Sequence, residues 1–297
     1  MLLAVPNFSE GRDRRRIQAI SGAFATGAGL LDAHSDPHHN RSVLTLDAGS
    51  GHLAGALARG ASACVERIDM RHHHGEHPCV GALDICPVVW LREEDRDEAR
   101  REALDVAGRI ADQLAVPVFL YGELATTEQR RERAFFREGG LQGLRRRMAT
   151  GELETDLGPS RPHRTAGATL VTARPPLAAF NLELDAGIEV ARSIASVVRE
   201  SGGGLPSVRA IGVDLGHGRS QVSTNVQDPV AVPLAEVVEL VRELARLYGA
   251  RLTDAEIVGL VPKAALDGFP SDLALPAYQA KRHVIEGRVS PPRPGVP

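Results

Sequence analysis

The chain has 297 residues, which is long for one average domain and short for three, so we expect two compact units. Hydrophobic residues make up 43% of it and charged residues 25%, as in folded globular proteins and unlike disordered or fibrous ones. The formal net charge of -3 argues against nucleic acid as a partner. No apolar run is long enough to cross a bilayer and no basic leader opens the chain, so we expect a cytoplasmic protein without membrane partners.

The chain has three cysteines, Cys64, Cys79 and Cys86. Their number is odd and none of them form a Cys-x-x-Cys pair. This pattern excludes a disulfide framework and a four-cysteine zinc site.

The first half alternates strand and helix patterns. Apolar runs predict strands over residues 2–5, 29–33, 42–46, 82–91 and 117–121, and helical periodicity predicts helices over 12–24, 51–68 and 93–114. Ser9 is the predicted N-cap of the first helix. The order β-α-β-β-α-β, extended by a further α-β, is typical of the split βαβ or ferredoxin-like unit.

The second half repeats this order after an insert whose composition differs from that of both halves. Residues 126–162 are rich in Arg, Glu and Gly and predict surface helices and loops. Strands follow at 177–184, 208–214, 220–226 and 251–258, with helices at 186–199 and 233–247. We therefore expect an α+β protein of two ferredoxin-like (βαββαβ) α/β subdomains, residues 1–175 and 176–297, with a ligand crevice between them.

Histidine is concentrated in one part of the chain. Eight of the 11 histidines lie between His34 and His77, and the densest group is Arg-His-His-His-Gly-Glu-His-Pro at residues 71–78. Imidazole is a common metal ligand, but there is no His-Glu-x-x-His helix, and Gly75 and Pro78 interrupt any helical face that could aim ligands at one point. We expect no metal.

General acid–base catalysis by one histidine is the alternative use of this loop. Glu76 precedes His77, and Asp84 lies in the strand that follows. A carboxylate raises the pKa of an imidazole and fixes its tautomer, so the partner of His77 could be Glu76, Asp84 or neither. A surface loop that is merely rich in histidine is the remaining interpretation.

Residues 32–42 form a second polar cluster between two predicted strands. Arg41 can hold a carboxylate through two parallel hydrogen bonds. The same segment is also typical of a plain turn, favoured by Asp36, Pro37 and Asn40.

Two further features suit a flat ligand. Gly158, Pro159 and Gly167 allow close approach of backbone to such a molecule. Gln221, Ser223 and Asn225 share one face of a predicted strand, where they can hydrogen-bond a heteroaromatic ring or face another part of the protein. Nucleotide-dependent chemistry has no support, because the chain contains neither a Walker A string nor a complete dinucleotide loop.

These residues belong to a series of strings that occurs in order along nearly the whole chain. The strings are Val-Pro-Asn-Phe-Ser-Glu-Gly (5–11), His-Asn-Arg-Ser-Val (39–43), Gly-Glu-His-Pro (75–78), Gly-Ala-Leu-Asp (81–84), Tyr-Gly-Glu (121–123), Asp156 with Gly-Pro-Ser (158–160), Ala-Phe-Asn (179–181), Gln-Val-Ser-Thr-Asn (221–225) and Val-Gly-Leu-Val-Pro (258–262). The series resembles the formiminotransferase domain of the glutamate formimidoyltransferase family. No cyclodeaminase segment follows, so the resemblance is to the stand-alone form.

The resemblance implies an activity. Members of this family move a formimino group from N-formimino-L-glutamate to N-5 of tetrahydrofolate, a step that links histidine degradation to one-carbon metabolism. It also implies a homodimer with folate in the crevice and tetrahydrofolate as co-substrate. A single histidine with its ordinary pKa near neutrality can accept the amine proton and return it to the leaving nitrogen.

The resemblance also implies the catalytic residue and the folate segment. His77 of the Gly-Glu-His-Pro string matches the catalytic histidine. From the polar clusters and the strand face described above, the expected substrate-binding residues are His39, Asn40, Arg41, Glu76, Asp84, Asn181, Gln221, Ser223 and Asn225. The expected folate-binding residues are Gly158, Pro159, Ser160, His163, Thr165, Ala166 and Gly167.

The chain departs from the family pattern at three positions. Cys79 replaces an arginine after Gly-Glu-His-Pro, Glu183 replaces an asparagine, and His34 stands where some members have an acidic residue. Loss of a positive charge and gain of a negative one weaken the case for a dianionic donor. Formyl transfer, processing of 5-formyltetrahydrofolate and folate binding without catalysis therefore remain alternatives at this point.

Overall fold

The computed structural model describes residues 1–49, 51–273 and 282–289. The chain divides into two compact units, Met1–Pro175 and Pro176–Pro297. The described residues form helices and two sheets, which confirms the α+β class. None of their helices is both long and apolar enough to cross a membrane.

The first unit is built on a seven-stranded sheet. Its strands are β1 (Leu2–Ala4), β2 (Asn7–Phe8), β3 (Gly29–Asp36), β4 (Arg41–Ala48), β5 (Leu83–Trp90), β6 (Val118–Leu120) and β7 (Thr169–Arg174). Its α-helices are α1 (Arg14–Ala25), α2 (Leu53–Arg67), α3 (Arg96–Leu114), α4 (Arg133–Arg137) and α5 (Gly140–Ala149). β1 pairs antiparallel with β4 and β5, β3 lies on the outer side of β4, and β7 runs parallel to β5 and β6.

Strand β5 is buried along its whole length because both faces of the sheet are covered. Cys86 and Val88 belong to the core that includes α2 and α3. Ile85 points into a smaller core with Phe119 and Phe136. Phe136 is 0% exposed and its ring centroid lies 5.1 Å from that of Phe119, so this contact fixes the short helix α4 against the sheet.

One local expectation was wrong, and one strand was missed. Asp13, and not Ser9, caps α1, because the Asp13 carboxylate accepts hydrogen bonds from the backbone N–H groups of Arg15 and Arg16. The hydroxyl of Ser9 instead donates to the carbonyl of Gly81 at 2.7 Å. Strand β7 was not predicted, although its run Thr-Leu-Val-Thr-Ala-Arg is a typical buried strand.

In the described residues of the second unit, helices pack on a four-stranded antiparallel sheet. In chain order its elements are β8 (Ala178–Leu184), α6 (Ile188–Val198), β9 (Val208–Gly216), β10 (Arg219–Val226), α7 (Leu234–Leu247) and β11 (Leu252–Val258), and the strand order is β11-β8-β10-β9. Phe180, Leu182 and Val222 line the core shared with the helices. The alternate residues of β8 and β10 therefore lie on the opposite, polar face.

Candidate active site

His77 lies in the loop between α2 and β5, and its ring is held by two hydrogen bonds. A guanidinium nitrogen of Arg41 lies 2.7 Å from Nε2, and the carbonyl oxygen of Pro78 lies 2.9 Å from Nδ1. A guanidinium can only donate and a carbonyl can only accept. The imidazole is therefore neutral, with its proton on Nδ1 and its lone pair on Nε2.

The environment of His77 opposes protonation. Burial lowers the pKa of its imidazole well below the ordinary value, and the positive charges of Arg41 and Arg137 lower it further, with smaller effects of His39 and Arg133. The expected pKa near neutrality was wrong for this reason. His77 is in its basic form throughout the neutral range.

Neither expected carboxylate is the partner of His77. Asp84 accepts a hydrogen bond from the backbone N–H of Val80 at 2.7 Å and forms an ion pair with Arg137. Its side chain is only 2% exposed. Glu76 is exposed. Asp84 thus ties the end of the His77 loop to α4.

Four arginines surround this part of the first unit, and we call Arg41, Arg133, Arg137 and Arg174 the arginine cluster. Burial and the charge of Arg137 lower the pKa of Arg41 to about 10. Burial also lowers the pKa of Arg174 to about 10, with a further contribution from Arg133. Within the described residues, Asp84 is the only carboxylate at ion-pair distance from any of the four. The cluster therefore carries excess positive charge.

Asn40 fastens the turn between β3 and β4 to the histidine-rich loop. Its backbone has a φ of 48°, which asparagine tolerates better than most residues. Its side-chain oxygen accepts from the backbone N–H of Gly11 at 2.9 Å, and its amide nitrogen lies 3.1 Å from the carbonyl of His74 and 3.3 Å from Nδ1 of His73. These contacts position Arg41, the next residue, opposite His77.

The ring of His39 packs beside that of His77. It is 2% exposed, its Nδ1 is 3.3 Å from Oδ2 of Asp36, and its ring centroid is 5.8 Å from that of His77. A Cβ at Gly75 would lie 2.3 Å from the backbone oxygen of His39, so the two segments approach closely because residue 75 is glycine.

Part of the expected folate segment lies against the His77 loop. Nδ1 of His163 accepts hydrogen bonds from the backbone N–H groups of Ala166 at 3.0 Å and Thr165 at 3.3 Å. The carbonyl of Thr165 accepts from Met70 at 2.7 Å, and that of Ala166 accepts from Ala82 at 2.8 Å. The tight turn that ends at Gly167 is thus bound to both ends of the loop that carries His77.

The beginning of that segment packs elsewhere. Gly158 has a φ of 84°, and a Cβ there would lie 3.1 Å from the Cβ of Ala111, near the end of α3. Pro159 is half-buried and Ser160 is exposed. The structure thus separates the segment into a part beside α3 and a part beside the His77 loop.

The polar face of the second unit carries the other expected residues. Ser223 is directly opposite Asn181 in the β8–β10 register, and Gln221 and Asn225 lie on the same face. The side-chain amide of Asn181 donates to Glu256 at 3.0 Å. Oε1 of Gln221 is buried without a hydrogen-bond partner among the described residues, which favours a donor group on a ligand.

The structure also shows the surroundings of two departures from the family pattern. Arg219 forms an ion pair with Glu183 at 2.6 Å and offsets its charge. Burial raises the pKa of Cys79 to about 12, so this thiol is uncharged. The family arginine at position 79 is absent. Positive charge around His77 comes instead from the arginine cluster.

Sequence reasoning missed three members of this cluster. Arg133 and Arg137 lie four residues apart on α4, and Arg174 ends β7. The signal for α4 was the Phe135-Phe136 pair inside a polar segment, because two adjacent aromatic residues there indicate packing against a core.

Metal binding finds no support in the described part of the chain. There, no group of three or more His, Cys, Asp or Glu side chains is arranged to hold an ion.

Comparison with known proteins shows similarity along both units. Residues 1–174 match the family described as formiminotransferase domain, N-terminal subdomain, and residues 179–269 match the formiminotransferase domain. A glutamate formimidoyltransferase of Streptococcus pyogenes serotype M1 is 36% identical over 96% of this chain and 97% of its own length. One from Thermoplasma acidophilum is 38% identical, with 88% of each chain covered. A formimidoyltransferase-cyclodeaminase of Sus scrofa is 40% identical over 89% of this chain and 50% of its own length.

Proposed function

Because this chain belongs to the formiminotransferase domain family and is a formimino-transferring enzyme of histidine degradation, we propose that its donor is N-formimino-L-glutamate and its acceptor is N-5 of tetrahydrofolate. The observation that carries the proposal is the state of His77. It is a neutral imidazole with its lone pair on Nε2, set among arginines that have too few carboxylate partners.

His77 carries the proton through the reaction. A bond forms between N-5 and the formimino carbon, and Nε2 of His77 accepts the proton that N-5 loses. The bond between that carbon and the glutamate nitrogen then breaks, and His77 returns the proton to this nitrogen. The products are L-glutamate and 5-formiminotetrahydrofolate. The lowered pKa of His77 keeps the resting imidazole unprotonated, so that Nε2 can accept a proton.

The arginine cluster binds the donor. N-formimino-L-glutamate carries two carboxylates, and guanidinium groups bind carboxylates through paired, charge-assisted hydrogen bonds. Arg41 is the member of the cluster that forms a hydrogen bond with His77. A carboxylate at Arg41 therefore brings the donor to the base.

Folate recognition uses neutral groups. The turn that ends at Gly167 and the residues Asn181, Gln221 and Ser223 supply backbone and amide hydrogen bonds suited to a pterin. The finer architecture is part of the proposal and comes from the family resemblance: two ferredoxin-like units, folate in a crevice between them, and a cytoplasmic homodimer.

A panel of donors tests the proposal. The protein is incubated with tetrahydrofolate and either N-formimino-L-glutamate or N-formyl-L-glutamate, and L-glutamate release is measured. We expect rapid release from the formimino donor only. Faster release from the formyl donor would make the chain a formyltransferase, and folinic acid binding in calorimetry without release from either donor would make it a folate-binding protein.

A further inference from the structure

Arg41 is a half-buried cation whose only side-chain hydrogen bond within the described residues goes to an uncharged ring. Removing a guanidinium from water is costly unless an anion compensates it. Asp36 and Asp84 favour the charge of Arg41 from a distance, but neither is at ion-pair distance. The guanidinium is thus placed for an anion that the protein itself does not supply.

The same hydrogen bond occupies the atom on which catalysis depends. Nε2 of His77 has one lone pair, and it accepts from Arg41. The ring cannot offer Nδ1 instead, because that nitrogen holds the proton donated to the carbonyl of Pro78. While this pair of contacts persists, His77 cannot take a proton from a substrate.

We propose that a carboxylate of the donor takes the Arg41 guanidinium away from Nε2 of His77, so that a dicarboxylate substrate switches on its own general base. This inference rests on the proposed function, since it assumes that His77 carries the proton. Arg41 is then a positioning residue for His77 as well as a carboxylate ligand. Without a bound donor, the imidazole is held inactive.

The groups facing His77 favour this exchange. His39, Arg41, Arg133 and Arg137 all oppose a positive charge on the imidazole. Of the carboxylates near the loop, Asp84 is already paired with Arg137, and Asp69 with Arg71. Asp36 lies 3.3 Å from Nδ1 of His39, and Glu76 is exposed. A bound dicarboxylate adds negative charge to the cluster and removes the hydrogen bond that Nε2 accepts. Both changes make protonation of His77 easier.

The test follows the protonation of His77 in the full chain by NMR of ¹⁵N-labelled histidine. The His77 signals are assigned by their loss in His77→Asn. The probe is glutarate, and glutaramide, the same chain with neutral amides, is the matched control. We expect saturating glutarate to raise the pKa of His77 and glutaramide to leave it unchanged. In Arg41→Met the pKa is already raised without ligand, and glutarate binding is weaker by about 10- to 100-fold.

Arg145→Met is the control variant, because Arg145 is an exposed arginine on α5. It should titrate like the unaltered protein. Glutarate that binds in calorimetry without moving the pKa of His77, or that does not bind at all, overturns the switch. If Arg41→Met does not fold, the titration of the unaltered protein alone decides the question.

Turnover of His77→Asn separates this inference from the proposed function. If that variant is inactive and glutarate leaves His77 unmoved, only the switch fails. If that variant turns over normally, the role of His77 in the proposed function fails, whatever glutarate does.

Discussion

The two units differ in the hydrogen-bond and ion-pair partners of their polar side chains. Around His77 the first unit gathers Arg41, Arg133 and Arg137, with one buried carboxylate, Asp84. The polar face of the second unit presents neutral amides and a hydroxyl beside two carboxylates, of which Glu256 accepts a hydrogen bond from Asn181 and Glu183 pairs with Arg219. Unbalanced charge suits proton transfer and anion binding, whereas neutral groups suit recognition of a flat heterocycle. We therefore propose that proton transfer and donor binding belong to the first unit, and that the second unit contributes to recognition of the acceptor.

Replacement of His77 tests the chemical half of this comparison most strongly. His77→Asn keeps a polar group of similar shape but removes the base. We expect kcat to fall by about 10²- to 10⁴-fold, with the Kd for folinic acid changed by less than about threefold. Steady-state kinetics and calorimetry provide the two numbers. A large loss of folate affinity would instead place His77 in recognition.

Removal of the buried carboxylate should have the largest effect on stability. Asp84→Asn leaves Arg137 without its partner, and breaking a buried ion pair in this way costs about 3–5 kcal/mol of unfolding free energy. The control is Asp105→Asn, because the Asp105–Arg109 pair at 2.9 Å is exposed and such pairs contribute about 1 kcal/mol or less. Urea unfolding measures the free energy of unfolding of the two variants. Equal losses would show that the Asp84 pair is not a special feature of the site.

The pH dependence of the reaction reports the environment of His77. Its pKa is lowered, so the basic form persists as the pH falls and is lost only below the range of an ordinary histidine. We expect the acidic limb of the pH profile of kcat/KM to have its midpoint below pH 6.5, the unperturbed pKa of histidine. A limb at or above that value would contradict the electrostatic effect of the arginine cluster.

The smallest effect should come from the second unit. Gln221→Ala removes one hydrogen-bonding group from its polar face, and we expect KM for tetrahydrofolate to rise about threefold to tenfold with kcat unchanged. Thr224→Val is the matched control, because the Thr224 hydroxyl donates to the carbonyl of Phe180 at 2.6 Å on the helix-covered face. That variant should lose stability and keep its KM. A fall in kcat for Gln221→Ala would bring the second unit into the chemistry.

Local sequence patterns were sufficient to predict most of the strands and helices and the residues that share a strand face. Alternation placed Gln221, Ser223 and Asn225 on one face, and the β8–β10 register confirms it. Most strands and helices of both units were also predicted to within a few residues. The resemblance to the family led to formimino transfer, which the comparisons support, since it depends on strings of neighbouring residues and not on their positions in space.

Contacts between distant segments could not be predicted. The hydrogen-bond partner of His77 is 36 residues away in the chain, at Arg41. Asp84 pairs with Arg137 across 53 residues. Such pairings depend on how α4 and the β3–β4 turn pack on the sheet. The pKa of His77 follows from the same packing, and the sequence alone suggested an ordinary value.

The position of Arg174 has a practical consequence for anyone dividing this protein. It is the last residue of β7 and lies one residue before the end of the first unit at Pro175. A fragment that ends before Thr169 would lose both strand β7 and one of the four guanidinium groups. Weak binding of anions by such a fragment would then reflect the cut and not the enzyme.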